Sequence, residues 1–79
     1  EAPLLVAADA MTREYEGALR EIEAILGTGT APAPLSELDA SAAEVRAALA
    51  RSPDSLFLFD RLQRIYAQRL ALTLRLAAA

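Results

Sequence analysis

Histidine, cysteine, tryptophan and lysine are all absent from this chain of 79 residues. The lack of cysteine excludes disulfide bonds and thiol chemistry. The lack of histidine removes the usual general base of a catalytic triad and, with cysteine, the common zinc ligands. Glycine occurs only three times, and no segment has the pattern of a phosphate-binding loop. We therefore expect no catalytic residue, no metal and no cofactor, and a protein that is not an enzyme.

The residues that are present favour a small helical domain. Alanine and leucine contribute 19 and 14 residues, and hydrophobic residues make up 54% of the chain against 24% charged ones. This balance is typical of globular chains, and the length provides room for one domain over residues 1–79. Eleven acidic residues against eight basic ones give a net charge of −3. That charge disfavours nucleic-acid binding, which requires a basic surface.

Residues 3–26 have the pattern of an amphipathic helix. Pro3 suits the first turn, and Gly27 suits a helix stop in the left-handed conformation. Apolar residues follow alternating steps of four and three, the spacing of a heptad seam. The seam residues are Leu4, Ala8, Met11, Tyr15, Ala18, Ile22 and Ile25.

The middle of the chain predicts a linker and a shorter helix. Residues 28–35 are assigned to the linker because their two prolines are expected outside a helix. The helix is predicted over residues 37–51, beginning near Ser36, with Asp39 in a variant of the capping box. Its apolar stripe is thinner than that of the first helix.

Ser52 and Pro53 predict where the last helix begins. A residue before proline disfavours the helical region, so we expect a break here rather than a kink in one long helix. Ser52 is then the N-cap and Pro53 the first residue of a helix over residues 53–77. The predicted fold class is all-α, a helical hairpin or three-helix bundle with two long helices and one shorter helix.

The last helix carries more apolar surface than one neighbouring helix covers. Residues 56–59 are apolar on every side, and leucines at alternate positions repeat this near the C-terminus. A domain of this size buries only about 60% of its unfolded surface, so the surplus indicates a protein partner or a second copy. The alternative is that the second helix covers the phenylalanines. The candidate interface residues are Leu56, Phe57, Phe59, Leu72, Leu74 and Leu76.

Charge is distributed unevenly along the chain. Residues 1–35 contain six acids and two arginines, whereas residues 53–79 contain two acids and four arginines. The net charges of these segments are therefore −4 and +2. Opposite charges favour packing of the two long helices side by side, within one chain or across a dimer. Because an exposed ion pair contributes at most about 1 kcal/mol, charge selects orientation more than it stabilises.

The second half of the chain carries an ordered series of residues that resembles a known family. The series is Leu38-Asp39, Ser41-Ala42, Glu44, Arg46, Ala48-Leu49, Ser52-Pro53-Asp54, Leu62, Tyr66, Leu70 and Leu72, preceded by Tyr15, Ile22-Glu23 and Leu26. It is similar to the C-terminal region of bacterial transmembrane anti-sigma factors of the zinc-finger type. Ser52 replaces that family's usual aspartate before proline, and Ala42 replaces a larger apolar residue. The family's Cys/His motif and membrane span are not in this sequence.

The resemblance implies a regulatory, non-catalytic domain on the extracytoplasmic side of an inner membrane. Such a domain would sense a signal or dimerise, and so control release of a sigma factor. Its partners would be proteins, including a second copy in a homodimer, and a segment elsewhere in the parent chain would provide the membrane attachment. No residue that grips the sigma factor is carried over. The competing hypothesis is a cytoplasmic helical adaptor or coiled-coil module that holds proteins together.

Overall fold

A computed structural model describes residues 2–27 and 32–78, which form three α-helices and no strand. Helix α1 spans Pro3–Leu26, α2 spans Ala33–Arg51 and α3 spans Leu56–Ala78. This arrangement confirms the predicted all-α fold with two long helices and a shorter one. A turn of four residues joins α2 to α3, so these two helices run antiparallel.

Helix α1 has the predicted boundaries. A proline stands in its first turn, where a missing N–H group leaves no hydrogen bond unmade. Gly27 follows its last residue with φ 81° and ψ 153°. The positive φ agrees with a glycine stop, but this ψ lies outside the left-handed helical region and within one that glycine alone adopts readily. The predicted left-handed conformation is therefore wrong, although the stop is placed correctly.

Helix α2 begins earlier than predicted, at Ala33 rather than residue 37. Pro34 lies in its first turn, where proline is tolerated because the N–H group there lacks a partner in any case. Ser36 is not a cap, since its hydroxyl donates to the Ala33 carbonyl at 3.0 Å inside the helix. The linker prediction is thus wrong at residues 33–35, and residues 28–31 lie outside the described part of the chain.

The predicted break between the last two helices is confirmed, but its details differ. Ser52 ends α2, its N–H donating to the Ala48 carbonyl at 2.9 Å. Helix α3 begins at Leu56 instead of residue 53, and Ser55 caps it by accepting a hydrogen bond from the Leu58 N–H at 3.2 Å. Pro53 lies in a turn closed by a hydrogen bond from the Ser55 N–H to the Ser52 carbonyl, so α3 begins three residues later than predicted.

The core lies mainly between α2 and α3. Leu49 and Leu62 are the largest fully buried side chains, 1% and 0% exposed. Helix α1 adds only small residues at full burial, Ala8 and Thr12. The connected cluster of buried hydrophobic residues consists of Ala8, Ala42, Val45, Leu49, Leu62, Ile65 and Tyr66.

The molecule is elongated, with extents of 41 × 21 × 16 Å and a radius of gyration of 13.3 Å. A compact chain of this length would have a radius of gyration of about 12 Å. Residues near the start of α1 border the end of α2, and residues near Tyr15 border its beginning, so these two helices also run antiparallel. Helices α1 and α3 are consequently parallel, and long helix surfaces face outward.

Candidate functional site

The predicted interface residues occupy different environments in α3. Phe59 packs against the core and is half-buried, and Leu72 is also half-buried. The other four are exposed by 44–66%; they are Leu56, Phe57, Leu74 and Leu76. Phe59 therefore belongs with the core, while the exposed four remain candidates for contact with another protein.

These exposed residues do not form one surface. Leu56 and Leu74 are eighteen residues apart, which is five full turns at 3.6 residues per turn, so they share one side of α3. Phe57 is turned about 100° from Leu56 around the helix, in the direction of α2. The surplus apolar surface of α3 is thus divided between two outer faces.

The first outer face lies between α1 and α3, away from α2, and is called the α1/α3 face. Tyr66 stacks on Tyr15 and so marks the side of α3 that contacts α1. Going around α3 from Arg69 past Tyr66, the next residues border this face. Going around α1 from Leu19 past Tyr15, the next residues border the same face. The face comprises Met11, Glu14, Ala18, Glu21 and Ile25 of α1 with Leu56, Asp60, Gln63, Leu70 and Leu74 of α3.

The second outer face lies between α2 and α3, away from α1, and is called the α2/α3 face. Arg69 marks the side of α3 that contacts α2, because it pairs with Asp39. Residues turned further in that direction border this face. It comprises Glu37, Ser41, Glu44 and Ala48 of α2 with Phe57, Arg61, Arg64, Leu72, Arg75 and Leu76 of α3.

A polar cluster lies at the junction of the three helices. The hydroxyls of Thr12 and Tyr66 are hydrogen-bonded at 2.8 Å between buried residues. The rings of Tyr15 and Tyr66 stack with centroids 4.0 Å apart and an interplanar angle of 11°. These contacts attach α1 to the core formed by the other two helices.

Arg69 is a buried charged residue, although the sequence pattern indicates only its contribution to the charge balance. It is 4% exposed, and its Nε donates to Asp39 Oδ1 at 3.0 Å. Its Nη1 donates to the Thr73 hydroxyl, which in turn donates to the Arg69 carbonyl at 2.8 Å. Asp39 therefore neutralises a buried cation and does not cap α2. Arg69 lies on the same helical stripe as Leu62 and Tyr66, and this spacing in the sequence is the signal that indicates its burial.

The acidity of the Tyr15 phenol is altered by its surroundings. Burial raises its pKa to about 12; the Arg69 charge lowers it, while Asp39, Tyr66 and Glu16 raise it further. Tyr15 and Tyr66 line a shallow cleft of about 270 Å³ together with Asp39 and Arg46. This volume is below the usual range for small-molecule sites, about 300–1,000 Å³. The phenol of Tyr15 is protonated at neutral pH, and its ring packs against Tyr66.

The remaining chemistry of the described residues is limited. Over residues 2–27 and 32–78, no group of three or more Asp or Glu is arranged to hold a metal ion. In the same ranges, no helix has the length and hydrophobicity needed to cross a bilayer. The exposed helix faces are therefore candidates for a functional surface.

Comparison with known proteins adds no relative. No family model matches the chain, and neither a curated protein nor a solved structure is significantly similar to it. The features that bear on function are therefore the two faces and the residue series described above.

Proposed function

We propose that this chain is a non-catalytic regulatory domain that acts through protein–protein contacts, and that it forms the extracytoplasmic sensor or dimerisation region of a membrane anti-sigma factor. The observation that carries the interaction role is the exposed apolar surface on both sides of α3. The anti-sigma assignment rests on the ordered residue series that resembles that family. In such a protein, a change in association would be relayed through the membrane segment of the parent chain to release the sigma factor.

The α2/α3 face has the charge pattern that suits a symmetric homodimer. Its acids lie on α2 and its arginines on α3, all exposed, and none takes part in an ion pair within the described part of the chain. A two-fold axis parallel to the helices places α2 of one copy against α3 of the other. Opposite charges then meet at both halves of the interface, which fixes the register.

The contact between Asp39 and Arg69 gives the height of each charge along the bundle. Because α2 and α3 run antiparallel, the residue five positions after Asp39 is level with the residue five positions before Arg69. Glu44 of α2 is therefore level with Arg64 of α3. The two-fold axis preserves height, so Glu44 of one copy meets Arg64 of the other. Phe57, 66% exposed, supplies an apolar anchor near one end of this interface.

Light scattering of Phe57→Glu tests the dimer. We expect wild type to self-associate and Phe57→Glu to weaken association by about tenfold or more, because it replaces the apolar anchor of the interface with a charged side chain. Leu74→Glu is the matched control: it is equally drastic on the same helix but lies on the α1/α3 face. Unchanged mass for Phe57→Glu, with helicity retained by circular dichroism, would contradict self-association through this face.

A transcription reporter in cells tests the regulatory role. The domain is returned to its parent chain, and a promoter dependent on the cognate sigma factor is monitored. Phe57→Glu should alter reporter output, whereas Asp9→Asn, on neither face, should not. A cytoplasmic helical adaptor remains the alternative, since it uses the same exposed faces and needs no membrane. Dimer loss without any reporter change would favour that alternative.

A further inference from the structure

Gly17 lies near the middle of α1, on the side of the helix that points away from α2 and α3. The buried residue Ala8 is nine positions earlier, which is two and a half turns, so the two residues lie on opposite sides of the helix. A Cβ atom at position 17 would meet no neighbouring atom within 4 Å. Glycine destabilises a helix interior relative to alanine. The packing of this chain gives no reason for a glycine here, whereas close approach of another molecule would.

A line of small side chains extends along the same side of α1. Ala10 and Ala24 lie seven residues before and after Gly17, which is close to two full turns in each direction. A depression of about 530 Å³ in the surface is lined by Gly17 and Ala24 together with their neighbours. Two helices approach each other to about 8 Å where their facing side chains are small. This line therefore leaves room for a second helix to pack closely.

Charged side chains of opposite sign lie on the two sides of this line. Arg13 and Arg20 are turned about 40–60° from Gly17 in one direction, and a pair of glutamates, Glu14 and Glu21, is turned by the same amount in the other. All four are exposed, and none forms an ion pair within residues 2–27 and 32–78. Each row repeats at seven residues, the same interval as the small residues. The line and its two charged rows are called the Gly17 face.

We infer that the Gly17 face binds the same face of a second copy, with the two α1 helices parallel and related by a two-fold axis that runs along them. The arginine row of each copy then lies opposite the glutamate row of the other. Arg13 meets Glu14 of the second copy, and Arg20 meets Glu21 of the second copy, because each pair differs in height by only about 1.5 Å. Opposite potentials fix this register, and the small residues between the rows bring the helices close enough for the charges to pair.

The two charged rows disfavour other occupants of the face. Antiparallel α1 helices would oppose arginines to arginines and glutamates to glutamates, which costs binding energy. Asp9 and Glu16 lie beyond the arginine row and line the clefts that border α2, so they are not opposite the second copy. A surface with both signs offers neither the basic patch that binds nucleic acid nor the single-sign field that attracts a uniformly charged partner.

This inference goes beyond the proposed function, in which self-association uses the α2/α3 face and its anchor Phe57. Both two-fold axes run along the helices, so alternate use of the two faces would join copies into an open row. The Gly17 face is therefore tested in the Phe57→Glu variant, which lacks the anchor of the other interface. Failure of the α2/α3 dimer leaves these tests unaffected, and their failure leaves that dimer in place.

Reversal of one charged row at a time tests the pairing. Glu14→Arg with Glu21→Arg places arginines in both rows. Arg13→Glu with Arg20→Glu places glutamates in both. In sedimentation equilibrium, each double variant alone should self-associate about tenfold or more weakly than the Phe57→Glu parent, and an equal mixture should recover the affinity of the parent. A mixture no tighter than its components, or a parent that stays monomeric at millimolar concentration, would overturn the inference.

A control of equal charge is made outside α1. Asp54→Arg with Asp60→Arg changes the net charge as much as the arginine variant does, and both sites are exposed. Its self-association should stay within about threefold of the parent, because screened charges distant from the contact act weakly. An equal loss in the control would show that net charge alone governs association, and so would contradict pairing of the two rows.

Gly17→Glu separates a close contact from a glycine that the surface merely tolerates. The open space around a Cβ atom and the higher helix propensity of glutamate should leave the chain at least as stable in chemical denaturation. Self-association should nevertheless fall about tenfold or more, because two glutamates then oppose each other and hold the helices apart. Ala67→Glu, at an exposed alanine of α3, is the control and should associate like the parent. Unchanged association of Gly17→Glu would overturn the inference.

Cysteine crosslinking tests the parallel orientation, and the natural absence of cysteine leaves only the introduced thiols to react. In parallel helices each residue of the line lies opposite its own counterpart, so Ala10→Cys and Ala24→Cys should each form a disulfide-linked dimer on oxidation. In antiparallel helices only a mixture of the two variants forms it. Glu16→Cys, outside the contact, should stay uncrosslinked under the same conditions. Crosslinking in the mixture but in neither variant alone, or equal crosslinking of Glu16→Cys, would overturn the parallel arrangement.

Discussion

Helix α1 and the α2–α3 pair are held in the fold in different ways. The α2–α3 pair buries branched side chains such as Leu49, Leu62 and Ile65. Helix α1 fully buries only Ala8 and Thr12, and otherwise relies on half-buried side chains such as Tyr15. Burial of a leucine or isoleucine contributes about 1.5–3 kcal/mol, and an alanine contributes far less. The pair is therefore the stable unit, and α1 is the element most easily displaced.

This difference bears on the proposed role. Both outer faces use α3, but the α1/α3 face exists only while α1 is docked, whereas the α2/α3 face needs only the stable pair. Displacement of α1 would remove the α1/α3 face and leave the proposed dimer surface in place. Elements that move in regulation are commonly drawn from the less stable part of a structure. The contrast in anchoring thus gives the two faces separate responses to one conformational change.

The largest expected effect comes from the core of the α2–α3 pair. Leu62→Ala should lower the free energy of unfolding by about 2–5 kcal/mol, because it removes a fully buried side chain and leaves a cavity. Chemical denaturation followed by circular dichroism measures it. Val6→Ala is the control; its side chain is 53% exposed and outside both outer faces, which predicts a change within about 0.5 kcal/mol. Similar values for both variants would remove the distinction between core and outer face.

A smaller effect is expected where α1 is attached. Thr12→Val leaves the buried Tyr66 hydroxyl without its partner and should cost about 1–3 kcal/mol. Tyr66→Phe leaves the threonine hydroxyl unpaired in the same way. The double variant should be less destabilised than the sum of the two, because neither hydroxyl then remains. Hydrogen exchange should become faster in α1 before it does in α2 and α3. Uniform acceleration across the three helices would contradict weak attachment of α1.

Much of the fold follows from local signals in the sequence. Pro3 and Gly27 set the ends of α1 because each has a strong positional preference at a helix terminus. The start of α2 is predicted too late because Pro34 suggests a linker. A proline is excluded from a helix interior but is accepted in the first turn, where Pro34 lies. Ser52 and Ser55 both suit an N-cap, and the turn geometry that selects Ser55 depends on contacts the sequence does not reveal.

The outer faces and the buried ion pair were harder to predict. Hydrophobicity alone indicates which leucines of α3 are candidates for an interface. It does not indicate that the exposed ones belong to two different outer faces. That division depends on where α1 and α2 pack. Ile25 continues the heptad seam but is 82% exposed, because periodicity does not record where a neighbouring helix ends. Arg69 resembled any surface arginine until Asp39, thirty residues earlier, was placed beside it.

The smallest expected effect is a pH dependence at the same junction. Burial raises the pKa of Tyr15 from 10.0 to about 12, so the folded state favours the protonated phenol. Its contribution to stability is complete below pH 10, the unfolded value, and is lost as pH rises through about 12. Tyr15→Phe keeps the ring against Tyr66 but removes this titration. Between pH 10 and 12 the variant should therefore lose less stability than wild type, as measured by denaturation midpoints and by tyrosinate absorbance. An identical decline in the two proteins would mean that Tyr15 does not titrate late, and that the junction which holds α1 is more open to water than its stacked rings indicate.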